Sequence, residues 1–237
     1  MKKILAAMFA CAVFTCAAGF ALAEENAPGA AGFNFNILAV VCLLVGMGVC
    51  IFISAKRARW NASMIAKAAM CIALAYLLSM IKVFRMPMGG TVTLVSMLPL
   101  ILFAVAYGPL DGIVVGSAYG LLSLLIDPYV IHPLQLLADY PMAYAAVVLA
   151  CVVNVLPVKK VFKLPIAVVL GYLGRYILAV LSGCVFFAEY AGEQNAIIYS
   201  LVYNISYLGP EMIACAALMF IPAAHRLPEI IRGTKRR

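Results

Sequence analysis

Apolar runs of about 20 residues recur along this chain, separated by short polar breaks, and each is long enough to cross ~30 Å of hydrocarbon as a helix. In lipid every backbone N–H and C=O must find its partner within the protein, which leaves helices and closed barrels as spanning structures. Barrel strands alternate apolar and polar residues, and these runs do not. With 67% hydrophobic and 11% charged residues, the chain also lies well beyond the composition of soluble domains. The expected fold is an all-α integral membrane protein. Its 237 residues provide for roughly seven or eight spans and no separate soluble domain.

The formal net charge of +8 does not indicate a nucleic-acid partner, because the basic residues gather at predicted helix ends and so act as topology signals in the bilayer. Lys2 and Lys3, the apolar run 4–20 and Ala21-Leu22-Ala23 before Glu24 have the three parts of a secretory signal. Residues 1–23 are therefore read as a signal peptide or an uncleaved first helix. Residues 24–60 read as an external linker followed by an extra transmembrane helix at 36–54, which ends in Lys56, Arg57 and Arg59. Six further spans are expected at 64–83, 91–107, 109–126, 133–156, 164–187 and 197–221, making a membrane domain over 61–224 with a basic tail, 225–237. Alternating direction places Lys159, Lys160, Lys163 and the tail on the same side as the first basic cluster. The positive-inside rule makes that side cytoplasmic. The protein is then a multi-pass protein of the cell membrane with its C-terminus inside. The eight Cys occur in apolar spans without C-x-x-C spacing, so they read as small buried hydrophobes and not as metal ligands or disulfides.

Against that background the stretch 129–141, YVIHPLQLLADYP, stands out, with a carboxylate, an imidazole, an amide and two phenols. Ionisable groups persist in a membrane segment mainly where they pair, line a cavity or bind something. Asp139 has Gln135 at i−4, on the same helical face. A carboxylate with aromatic company can hold an organic cation, each ring face contributing about 0.5–2 kcal/mol. Tyr129, Tyr140, Phe187 and Tyr199 are the candidate rings, and all fall at the outer end of their spans; singly, each also fits an interfacial aromatic belt. Asn204, a turn and a half into the last span, is suited to hydrogen-bonding a heterocycle or a neighbouring helix. His132 precedes Pro133 and reads as a helix-start residue. The segment 84–90 contains Gly89 and Gly90, which suit a loop folding over a site, with Phe84 at its start.

Arg175 and Glu211 lie twelve positions from Phe187 and Tyr199 respectively, which puts both about 18 Å deep. Equal depth, and the cost of burying either charge alone, predict an intramembrane Arg175–Glu211 pair. Ala69 and Ala73 form a small-xxx-small face on the first span of the core. Zinc-protease, nucleotide P-loop and serine-hydrolase motifs are missing from the sequence. The chain does not read as an enzyme, it calls for no cofactor or metal, and any ATP-driven movement must borrow its motor.

MPMGGTVTLVSMLP (86–99), YGPLDGIVVGSAYGLL (107–122), HPLQLLADYP (132–141), SGCVFFAEYA (182–191) and YSLVYN (199–204) closely resemble the thiamine-binding S components of energy-coupling factor transporters, in order and from about residue 62 to the C-terminus. The resemblance implies a six-helix S-component bundle that captures thiamine outside the cell. It also implies, as partners, a transmembrane coupling protein and two ATPases. On the family pattern Asp139, Tyr140, Tyr129, Phe187, Tyr199, Asn204 and Gly183 match pocket positions, and Ala69 and Ala73 match the face that docks on the coupling protein. The chain departs from the pattern at Ala179, where some members have His, and at Phe84, the nearest candidate for a Trp of the first outer loop. The signal-like segment and the extra helix lie outside the usual core. An S component for another vitamin or precursor, or a self-sufficient secondary transporter, are the alternative readings.

Overall fold

A computed structural model describes residues 60–87 and 89–233, together with Gly46, Val49, Phe52 and Lys56. The signal-like segment, the linker, nearly all of the extra helix and the end of the basic tail lie outside the described residues.

Asn61 starts the first described helix, α1 (Ala62–Met80), by accepting the Met64 N–H on its side-chain oxygen at 2.8 Å. At Ile81 the backbone turns extended and enters a two-stranded antiparallel hairpin, β1 (Lys82–Arg85) and β2 (Thr91–Thr93), with a bulge between Lys82 and Phe84. Gly89 makes the turn at φ +86°, a conformation open to glycine at no steric cost. The expected single helix over 91–107 is thus corrected. Thr91-Val92-Thr93 is β-branched throughout and pairs as a strand, and helix begins at α2 (Leu98–Tyr107). An extended chain rises ~3.3 Å per residue against 1.5 Å for a helix, so the segment before Leu98 covers depth that a helix would have needed more residues to cross.

Gly108 breaks the chain at φ +111° before α3 (Pro109–Ser123), which ends short of the expected 126. His132 accepts the Leu134 N–H on Nδ1 at 3.1 Å and starts α4 (Pro133–Asn154). This helix changes its winding along its length. Pro141 has no N–H to donate, and residues Ala138–Met142 widen into a π turn in which the Ala143 N–H donates to the Ala138 carbonyl, five residues back. From Ala146 to Asn154 the helix tightens to 3₁₀. Two long helices follow, α5 (Lys160–Phe186) and α6 (Ala196–Leu218), the latter started by Asn195, whose Oδ1 accepts the Ile197 N–H at 2.8 Å. A short α7 (Leu227–Arg232) tucks under the far end, held where Tyr107 Oη donates to the Ile231 carbonyl at 3.1 Å.

Helices α1–α6 form the bundle. Four of them, α1, α4, α5 and α6, are long and apolar enough to cross a membrane, and the chain is a multi-pass membrane protein. α4 is central, with 67% of its spanning window buried, whereas α1 is peripheral at 28%. Without a hydrophobic drive between helices in lipid, close approach of backbones decides packing. Gly120 supplies such an approach, since a methyl group there would collide with the Tyr140 carbonyl. The described cysteines, Cys71, Cys151, Cys184 and Cys215, are unpaired thiols.

Candidate functional site

The hairpin end of the bundle opens into a cleft whose empty space, mouth included, is about 1140 Å³. Its position follows from the chain direction. α3 and α5 end there and α4 and α6 begin there, so the loop 124–132 and the first turns of α4 face the first turns of α6 beneath the hairpin. Gln135, Asp139 and Tyr140 reach it from α4, Tyr129 from the preceding loop, Gly183 and Phe187 from the end of α5, and Tyr199 and Asn204 from α6. Every residue named from the sequence as a ligand contact therefore lines one cavity.

The polar groups there differ in how much of their hydrogen-bonding capacity is taken. Gln135 is 1% exposed; its Nε2 donates to Asp139 Oδ2 at 2.6 Å and to the Tyr129 carbonyl at 3.1 Å, and its Oε1 accepts the Ile131 N–H at 3.2 Å. Its amide is committed to holding the loop and aiming Asp139. Tyr140 Oη is engaged as well, donating to the Asp127 carbonyl at 3.1 Å and accepting the Tyr129 N–H at 2.8 Å. Asn204 donates to the Ser200 carbonyl at 2.9 Å and accepts from Tyr207 Oη at 2.8 Å. Asp139 is the contrast. It takes the Gln135 bond, and among the described residues no cation stands within ion-pair distance of it.

Rings line both walls. Tyr129 and Phe187 stack with centroids 6.0 Å apart, and Tyr199 and Tyr203 stack at 6.1 Å, with Tyr203 meeting Tyr207 edge-on at 5.8 Å. The Tyr129 hydroxyl lies 3.5 Å from that of Tyr190, and this contact, with some burial, holds its phenol above the usual range and therefore neutral. Gly183 keeps the α5–α6 approach open, because a methyl group there would collide with Ser200 Oγ. His132 stays at the helix start, its ring stacked on Phe186 at 5.3 Å.

The hairpin contributes Gly89 and Gly90 to the lining, as a loop over a site requires, but Phe84 sits in β1, is 59% exposed and is not part of the wall. Lys82 on β1 reaches Asp127 at 2.5 Å, joining the hairpin to the loop after α3. Sequence reading missed this pair, although a lone outward lysine followed by a lone aspartate in the next outer loop was the available signal.

The predicted Arg175–Glu211 pair does not form. Arg175 lies over the Tyr144 ring at 4.2 Å, points an N–H at Met97 Sδ at 3.1 Å, and lines the cleft. Glu211 Oε1 instead accepts from Thr93 Oγ1 at 2.7 Å, the Ser96 N–H at 2.8 Å and Ser96 Oγ at 3.1 Å. The segment between β2 and α2 has taken the place beside Glu211 that the arginine was expected to fill. Ala69 and Ala73 lie on the exposed side of α1, away from the core.

Comparison with known proteins adds three findings. A family model described as a thiamine transporter protein matches residues 65–231. Thiamine transporter ThiT of Bacillus subtilis (strain 168) is 34% identical over 164 residues, covering 63% of this chain and 83% of that protein. A solved structure of ThiT from Listeria monocytogenes superposes with a TM-score of 0.52 at 19% identity, over 71% of this chain and 96% of the other, a likeness of fold.

Proposed function

The chain belongs to the thiamine transporter protein family, and on that premise we propose that it is the thiamine-capturing S component of an energy-coupling factor importer. Thiamine joins a permanently charged thiazolium to an aminopyrimidine and a hydroxyethyl arm, so its site needs one carboxylate, several ring faces and a few polar atoms. Asp139 carries this reading: it is a carboxylate on the cleft wall with no cation in ion-pair contact among the described residues. The thiazolium pairs with it, and the rings of Tyr129, Tyr140, Phe187 and Tyr199 enclose the ligand by cation–π and stacking contacts. Gln135 holds Asp139 in place, and Asn204 orders α6 and presents an amide edge to the pyrimidine.

On the topology given by the basic clusters, the cleft opens to the outside of the cell and the C-terminus is cytoplasmic. The sequence has no nucleotide-binding loop, so uptake relies on a coupling protein and two ATPases. The exposed Ala69 and Ala73 of α1 let a helix of the coupling protein come close.

The test is equilibrium binding of thiamine, riboflavin and biotin to the purified protein and to Asp139→Asn. Thiamine alone is expected to bind tightly, and only with Asp139 intact. Equal binding by both proteins removes Asp139 from the centre of the site, and preference for another vitamin reassigns the ligand. Uptake into vesicles with and without the coupling module tests the borrowed motor, because accumulation without it makes the protein a self-sufficient transporter.

A further inference from the structure

Val95 has φ +51°, the one non-glycine residue with positive φ among the described residues. A β-branched side chain resists that conformation, and such strain persists only where the surroundings over-determine it. The surroundings are specific. Thr93 and Ser96 flank Val95, and both are held by one oxygen of Glu211: Oε1 accepts from Thr93 Oγ1, the Ser96 N–H and Ser96 Oγ, at 2.7, 2.8 and 3.1 Å. Glu211 is 2% exposed and has no cation within ion-pair distance; these donors, with the Arg175 charge further off, make its buried charge tolerable.

The same stripe of α6 continues toward the cleft through Tyr207 and Tyr203, four and eight residues earlier. Tyr203 Oη accepts the Gly90 N–H at 3.2 Å, and a methyl group on Gly90 would stand 2.8 Å from the Tyr207 ring. The chain from Gly90 to Ser96 therefore lies along one face of α6, fastened at both ends. On the other side of the hairpin tip, Gly89 abuts Tyr129: a methyl group there would be 3.0 Å from Tyr129 Cβ.

We infer that Glu211 is a positioning residue that locks the 93–96 turn with Val95 strained, and thereby sets the hairpin over the cleft. The consequence for ligand capture rests on the cleft being the thiamine site; the lock itself does not. When the carboxylate is replaced by an amide, Val95 relaxes toward negative φ and the hairpin swings away from α6. Glycine at position 95 takes the locked conformation without steric cost, so it restores the closed hairpin even when the grip of Glu211 is weakened.

Two readouts on the purified full-length protein test this: amide hydrogen exchange of residues 83–93 without ligand, and the dissociation rate of thiamine. Glu211→Gln is expected to raise hairpin exchange about tenfold and to speed thiamine release by a similar factor, as loss of one charged hydrogen bond implies. Adding Val95→Gly is expected to return both toward the parent values. A purely structural fault at Glu211 would not be repaired by a change at residue 95. Unchanged exchange in Glu211→Gln, or a rise that Val95→Gly leaves in place, overturns the inference. If Glu211→Gln does not fold, Thr93→Val, which removes one of the three bonds, is expected to show a smaller rise with the same rescue, and no rise overturns the lock. A parent protein that binds no thiamine would defeat the pocket assignment, while the exchange measurement would still decide the lock.

Discussion

Asp139 on α4 and Glu211 on α6 are both carboxylates inside an apolar bundle, yet the regions around them are organised in opposite ways. Around Glu211 three donors converge on one oxygen, and the donors belong to the turn that enters α2. Around Asp139 the Gln135 amide is engaged, with the Ser182 hydroxyl and the Arg175 guanidinium standing near, and that amide is itself fixed by the loop 124–132. A carboxylate offers about four acceptor positions, and the way they are filled separates a fastening from a receptor. Lys82 and Arg175 repeat the division among the cations: Lys82 is spent on Asp127, while Arg175 rests on a ring and a thioether at the cleft wall.

The largest expected effect breaks the receptor side. Asp139→Asn should cost about 2–5 kcal/mol of thiamine affinity, roughly 30-fold to several thousandfold, as truncation of a buried charge pair does. It should leave thermal unfolding of the purified protein close to the parent. Next, Glu211→Ala is expected to fall first on stability, beside the faster release that an unlocked hairpin brings. It strands buried donors at about 1–3 kcal/mol each, so the loss appears in thermal unfolding before it appears in ligand selectivity between vitamins. If both variants lose affinity and stability in the same proportion, the division between the two regions is wrong.

These expectations draw on a cleft whose lining was largely readable before the structure, and the limits of that reading have a physical cause. Asp139 and Gln135 could be placed together because helical periodicity fixes which residues share a face. Tyr129, Tyr140, Phe187 and Tyr199 followed because the basic clusters fix which helix ends share a side. Arg175 and Glu211 were misjudged for a related reason: rise per residue gives depth, whereas the rotation of α5 against α6 depends on packing. Thr91-Val92-Thr93 was absorbed into an apolar span because a short strand inside a bundle has no periodicity long enough to register. Its β-branched residues and the preceding glycine pair were the signal available.

Smaller effects sharpen the picture. Phe187→Ala should weaken thiamine binding by about 0.5–2 kcal/mol, the range for one ring beside a cation, measured by equilibrium binding. An unchanged affinity would place the thiazolium on the α6 wall instead. Lys82→Met should shift affinity by about 1 kcal/mol, because the pair is part-buried, with side-chain exposures of 12% for Lys82 and 44% for Asp127, and its outer partner is screened by solvent. The difference from the parent should shrink further in high salt. Smallest of all, thiamine should barely alter the emission of Trp60, the single tryptophan. This residue precedes α1 at the end remote from the cleft, about 28 Å along a helix of 19 residues. Strong quenching would move the ligand.

The uneven winding of α4 has a consequence of its own. Its first turns answer to the cleft, and its later turns answer to α5, where a methyl group on Gly174 would collide with the Ala146 carbonyl. A uniform helix offers one rotational phase to both customers. The wide turn at Pro141 unwinds the rod and the tight stretch after Ala146 winds it back, so each half can be dialled to its own neighbour. α4 thus works as two short rods on a phase coupling. A single-residue insertion or deletion within 138–142 would misalign one half against the other while leaving every side chain chemically intact.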